Sequence, residues 1–214
     1  MARSSPTSID GPAGKLELVQ EVANPQGPLF DSGFCAVVCH PHPLYGGTMD
    51  NKVVTTLARA YRELGVPTVR FNFRGVGGSE GVHDNAAGEA DDLQAVAEWL
   101  QAQLPDSRLL LAGFSFGTAV VAAGSSRLGA HHITLIAPPV ERYSFAPQGH
   151  FACPALVILG DDDELVDLQS TRKWAEQLTS SVEILVVAGA SHFFDGQLSA
   201  LSNQLTPMLL EALL

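Results

Sequence analysis

One serine stands in a setting that could make it a nucleophile. Gly113-Phe114-Ser115-Phe116-Gly117 lies between the apolar run 108–114 and a small-residue stretch, 117–128. The first reads as a strand and the second as a helix, so Ser115 falls on the turn between them. A serine on so sharp a turn projects its hydroxyl above the edge of the sheet. A glycine on each side leaves room where a Cβ would strike the neighbouring strand or helix. The start of the helix also presents the Phe116 N–H where a developing oxyanion would sit. The chemistry this arrangement suits is nucleophilic attack on a carbonyl carbon. A serine hydroxyl needs a histidine to take its proton, and the histidine needs an acid to hold its tautomer.

Catalytic groups of doubly wound sheets lie on loops at the C-terminal ends of strands, which restricts the search. After the run 155–160 come Asp161, Asp162, Asp163 and Glu164. After the run 182–187 come Gly189, Ala190, Ser191 and His192. The order is serine, acid, histidine. The other histidines fit the base less well. His40 and His42 precede the serine, His83 lies in a glycine-rich loop, His131 and His132 open a strand, and His150 lies in an irregular stretch. The residues alone leave the choice among the four carboxylates open. Such a cluster could also suit a hard cation, but acidic loops are commonly just solvated turns. An H-x-H pair such as His40 and His42 could ligate a metal, yet the sequence places no further ligand beside it, and a structural role in its loop is the simpler reading. A dinucleotide-binding fingerprint begun at Gly75 would require glycine at position 80, where Glu80 stands.

These loops need a frame. Residues 15–22 alternate as a strand, and 34–39, 66–71, 108–114, 132–137, 155–160 and 182–187 are short apolar runs of the kind buried on both faces of a sheet. Helical patterns fall at 51–64, closed by Gly65, and at 89–104, 117–128, 168–179 and 196–213. Strands that alternate with helices predict a doubly wound α/β fold. Its sheet is mostly parallel, of about seven or eight strands, with helices on both faces. Residues 1–14, rich in serine, proline and glycine, read as a loose segment, and 15–214 as a single domain.

Composition excludes several functions. Twelve Lys and Arg against 23 Asp and Glu give a net charge of −11, without the basic face a nucleic-acid binder or an anionic membrane calls for. No apolar run approaches the roughly 18 residues of a spanning helix, and residues 1–14 lack the apolar core of a secretory signal. Three cysteines, Cys35, Cys39 and Cys153, make no disulfide framework, so a cytoplasmic protein is expected.

Longer blocks carry a family likeness. HPHPLYGGTMDNKVV (40–54), RFNFRGVGGSEG (70–81), GEADDLQAVAEWL (88–100), LAGFSFG (111–117), GDDDELV (160–166) and GASHFFDGQL (189–198) resemble the α/β-hydrolase superfamily. The chain is most similar to its small bacterial predicted hydrolases or esterases without a cap domain, and the likeness spans nearly the whole length. The resemblance implies a catalytic triad of Ser115, Asp163 and His192, because the family's acid pattern falls on Gly160, Asp163, Glu164 and Val166. Asp167 stands where many relatives carry proline. The resemblance also makes the glycine-rich loop structural, tied down by Arg74 and Ser79.

This fold takes its second oxyanion donor from the loop after strand 34–39. Pro41 and Pro43 have no N–H, so the donor is a neighbour, His42 or Leu44, alongside Phe116. Phe114, Phe193 and Phe194 are expected to form a small acyl-binding patch with Phe116. Only 17 residues separate Ala137 from Ala155, where caps usually enter, so the site should be open. The expected activity is hydrolysis of a small-molecule carboxylic ester, with no cofactor, metal, nucleic acid or membrane. Thioester or amide cleavage, and a non-catalytic binding protein, are the alternatives. The sequence leaves the oligomeric state open.

Overall fold

Six runs of apolar residues with helical segments between them can bury both faces only as a parallel sheet. A computed structural model, which describes residues 6–214, has that sheet. Its strands are β1 (Thr7–Gly11), β2 (Gly14–Glu21), β3 (Phe34–Cys39), β4 (Thr68–Phe71), β5 (Arg108–Phe114), β6 (His132–Ile136), β7 (Ala155–Gly160) and β8 (Val182–Val187). Helices α1 (Lys52–Leu64), α2 (Ala87–Gln103), α3 (Phe116–Ser125), α4 (Leu168–Glu176) and α5 (Leu198–Leu213) make the crossovers and the chain end. The spatial order is β1-β2-β4-β3-β5-β6-β7-β8. From β4 to β8 every neighbouring pair is parallel, and only β2 runs against its neighbours.

The chain winds outward from β3 to β4, then returns and winds the other way through β5. The reversal lies between β3 and β5, and a doubly wound sheet opens a crevice beyond the strand ends at such a point. The HPHP loop leaves β3 there and Ser115 leaves β5. Strands β3, β5, β6 and β7 bury nearly every residue, and α1 caps itself at both ends. The Asn51 side chain accepts the Val53 N–H, and Gly65 closes the helix at φ 96°.

One expectation needs correction. Residues 7–11 are not loose: they form β1, paired to β2 in register Ile9↔Leu16. Ile9 alone gives the segment an inward face, and the pairing supplies the backbone partners that its short polar sequence does not advertise. Residues 1–5 of the expected loose segment lie outside the described residues.

The close approach around the serine is tested by one methyl group. A Cβ on Gly117 would lie 2.6 Å from the carbonyl oxygens of both Cys39 and His40, and one on Gly113 would lie 2.5 Å from the Gly117 backbone. These are backbone atoms of β3 and α3, which cannot swing aside. Gly117→Ala is therefore expected to destabilise the fold by about 1–3 kcal/mol, the usual cost of overpacking. A denaturant melt with an unchanged midpoint would show that β3 and α3 can separate.

Candidate active site

Ser115 sits at φ 53° and ψ −121°, a left-handed backbone setting that costs a non-glycine residue strain. Its frame holds it there: the Ser115 N–H donates to the Ile136 carbonyl at 2.8 Å, and its own carbonyl accepts the Thr118 N–H at 2.9 Å. The side chain is thereby turned out of the strand, toward the loops beyond the sheet.

His192 reaches it from the loop after β8. Nε2 of His192 lies 3.0 Å from Ser115 Oγ, and Nδ1 lies 2.9 Å from Asp163 Oδ2. The histidine and carboxylate side chains are almost fully buried. Two features bring their loops together. Gly160 allows β7 to pass so close to the Ala190 carbonyl that a Cβ would meet it at 2.1 Å, and the Asp162 N–H then donates to that carbonyl at 3.1 Å.

The four carboxylates have separate partners. Asp163 Oδ1 accepts the N–H groups of Leu165 and Val166, both at 2.8 Å, which turns the carboxylate inward. Asp161 accepts the Gly189 N–H instead, Asp162 is exposed, and Glu164 accepts the backbone N–H of His192 at 3.1 Å. Glu164 thus braces the histidine loop, a contact the sequence pattern did not single out. Asp167 caps α4 by accepting the Ser170 N–H, which holds its carboxyl below the usual range.

The HPHP loop is anchored by His40, which is fully buried. Its Nε2 accepts the Phe73 N–H at 3.0 Å and its Nδ1 faces the Pro41 carbonyl at 2.6 Å. Burial lowers its pKa to about 4, so it stays neutral and both ring nitrogens serve the loop. The glycine-rich loop is tied as expected. Arg74 grips Asp92 through two guanidinium nitrogens, and Ser79 Oγ donates to Asn72 O at 2.6 Å while accepting the Glu17 N–H.

The two expected donors from the HPHP loop separate. Pro43–Tyr45 forms a single 3₁₀ turn, in which the Leu44 N–H is already donated to His42 Nδ1 at 3.2 Å. Leu44 is largely exposed and does not line the cleft. Among the described residues the N–H groups of His42 and Phe116 make no hydrogen bond, and both residues line the cleft.

The cleft over Ser115 has a volume of about 330 Å³. It is lined by Pro41, His42 and Tyr45 of the HPHP loop, by Pro139, Arg142 and Tyr143 of the loop after β6, and by Leu165 and Phe193 of the acid and histidine loops. The expected phenylalanine patch is corrected here. Phe193 lines the cleft, but Phe114 and Phe194 are fully buried and do not reach it. Side chains alternate along β5, so Phe114 turns beneath the site, where its ring packs 5.2 Å from the His192 ring. Phe194, held at φ 54°, points into the core. Arg142 and Tyr143 were missed because their loop has no periodicity to read. Tyr45 and Asn51 lie within the HPHP block, and its place after β3 is the one signal that could have found them.

Among the described residues no lid covers the cleft: residues 137–154 contain no helix or strand. The segment is pinned down rather than free, with Phe145 and Phe151 buried and packed edge-on against Trp174 of α4. Among the described residues, no helix is long and apolar enough to cross a membrane.

Comparison with known proteins agrees with this fold. The family model for the alpha/beta hydrolase fold matches residues 37–133. An alpha-beta serine hydrolase homologue from Coxiella burnetii is 42% identical, with a TM-score of 0.91 over 98% of this chain and 99% of its own. A Xanthomonas campestris protein described as a serine hydrolase without lid is also 42% identical, with a TM-score of 0.89 over 97% and 94% of the two chains. An uncharacterized protein of Rickettsia prowazekii is 34% identical over 87% of this chain and 80% of its own.

Proposed function

The chain belongs to the α/β-hydrolase superfamily, among its members without a cap, and from that premise we propose that it cleaves small carboxylic esters through an acyl-enzyme on Ser115. The observation that carries the reading is the buried line from Asp163 through His192 to Ser115, with Nε2 3.0 Å from Oγ. In this mechanism Oγ attacks the ester carbonyl and its proton passes to His192 Nε2. The carbonyl oxygen becomes an oxyanion that accepts the N–H groups of Phe116 and His42, each donor worth on the order of 3 kcal/mol. Collapse breaks the C–O bond, and the proton on Nε2 goes to the leaving alcohol. Water then attacks the acyl-enzyme by the same route and frees the acid and Ser115. No step needs a cofactor or metal. The reading takes residues 7–214, with β1 as an edge of the same sheet, as one catalytic domain. The buried, unpaired cysteines support a cytoplasmic setting.

Thioesters and amides could be cleaved by the same three residues, so the test is a substrate panel with a fluorophosphonate label. Turnover of soluble short-chain esters, with one covalent adduct on Ser115, is expected. Within the ester series the open cleft sets a limit. Each buried CH₂ contributes about 0.8 kcal/mol, and carbons left in water contribute nothing. With no lid to enclose them, kcat/KM should stop rising after about two to four acyl carbons. Efficiency that climbs steadily through long monomeric chains would reveal a deep acyl channel and overturn this expectation.

A further inference from the structure

The lining of the cleft contrasts with the protein around it. The chain carries 23 acidic and 12 basic residues. Yet among the described residues no carboxylate lines the cleft, and Arg142 is the one Lys, Arg, Asp or Glu side chain that does. Among the described residues, the exposed Arg142 forms no ion pair, and neither do Arg59, Arg108 and Arg172, which lie outside the cleft, whereas Arg62, Arg70, Arg74 and Arg127 hold carboxylates. Its neighbour Glu141 is exposed and likewise unpaired among those residues.

The other polar tips along this part of the cleft are donors. Tyr143 stands edge-on to Phe116, with ring centroids 5.6 Å apart, the Tyr45 ring lies tilted against His42 at 4.7 Å, and both tyrosines line the same cleft as Ser115. Burial pushes the Tyr143 phenol up, and the nearby Arg142 guanidinium brings it part of the way back. Tyr143 therefore keeps its proton near neutrality and can donate it in a hydrogen bond. Burial, followed by the nearness of His83, holds His42 below its ordinary value, so His42 adds no second positive charge at neutral pH. A free guanidinium, a phenolic O–H and a lining without carboxylates are the features of a site that accepts an anion, although the buried Glu89 lies near enough to act on both Tyr143 and His42.

We infer that Arg142, with Tyr143, forms an anion subsite that selects esters carrying a second, free carboxylate, the half-esters of dicarboxylic acids. The inference rests on the ester-hydrolase reading and names the substrate class within it. The carboxylate would take charge-assisted hydrogen bonds from the guanidinium and the phenol while Ser115 attacks the ester carbonyl. The bulk negative charge of the protein opposes such a substrate. One local cation in a cleft without carboxylates offsets that repulsion at short range, because salt screens distant charges more than near ones.

The test compares kcat/KM for the monoethyl esters of succinate and glutarate with their neutral primary-amide counterparts of the same length. For at least one length the wild-type protein should prefer the charged ester by about tenfold at about 0.1 M sodium chloride, where the distant charges are screened, equivalent to about 1.4 kcal/mol. The preference should shrink only toward about 1 M sodium chloride, where the short-range pair is screened as well. In Arg142→Gln the charged-to-neutral ratio should fall to about one, and Arg142→Lys should keep part of it. The ratio is internal to each protein, so a poorly folded variant loses both activities together and leaves it unchanged. Wild-type ratios at or below one for both lengths would overturn the subsite, and so would an unaltered ratio in Arg142→Gln. If neutral esters are turned over while the ratio stays flat, the subsite alone fails. If no ester is turned over and fluorophosphonate does not label Ser115, the ester-hydrolase reading fails, and the subsite with it.

Discussion

Ser115→Ala is expected to lower ester hydrolysis by roughly 10³-fold or more and to abolish fluorophosphonate labelling. The substitution removes the one oxygen within 3.0 Å of His192 Nε2 and alters little else. Alanine can occupy the strained backbone at φ 53° about as well as serine can, and the bonds that hold the turn are made by the residue's N–H and carbonyl. The variant should therefore fold, keep its melting temperature within a degree or two, and leave only the contribution of the oxyanion donors and substrate binding. Hydrolysis of a short acyl ester at the wild-type rate would mean that the nucleophile is elsewhere.

Asp163→Asn should reduce kcat by a comparable or larger factor, on the order of 10⁴-fold where an amide imposes the wrong histidine tautomer. The surroundings dictate which way the amide turns. Oδ1 of Asp163 accepts two backbone N–H groups, from Leu165 and Val166, so the asparagine must place its carbonyl oxygen there. Its NH₂ then occupies the Oδ2 position, 2.9 Å from His192 Nδ1, and donates to that nitrogen. The ring proton is forced to Nε2, which can no longer accept the serine proton. Asp161→Asn keeps an oxygen for the Gly189 N–H, and Asp162→Asn changes an exposed side chain, so both should stay within a fewfold of wild type. Steady-state kinetics of the three variants decide the matter. A larger loss in Asp161→Asn than in Asp163→Asn would remove Asp163 from the acid role.

The frame of the molecule was legible because its signals are local. Six apolar runs separated by helical periods require a parallel sheet whatever the details of packing. The glycines at 113 and 117 announce a turn too tight for a Cβ, and the observed approach of Gly117 to the β3 carbonyls is that constraint in three dimensions. The order serine, acid, histidine followed from strand ends, since each of the three residues leaves the sheet on the same side. Strand β1 was not legible. Five residues with one inward apolar side chain become a strand only because β2 offers an edge to pair with.

Side-chain direction marks the boundary between the two kinds of information. By itself the sequence determined the fold class, the turn that carries Ser115, and the loops that bring an acid and a histidine near it, because these depend on periodicity, glycine and chain order. The residues of the loop left open which carboxylate faces His192, the family resemblance pointed to Asp163, and the tertiary structure supplies the physical reason, two N–H groups that exist once its loop has curled back on itself. It also decided that the Leu44 N–H is taken by His42 Nδ1, that Phe114 supports the histidine from below, and that Arg142 and Tyr143 form a cleft wall. Each of these depends on where a side chain or an N–H points after distant segments have met, and no short-range pattern in the chain encodes that direction.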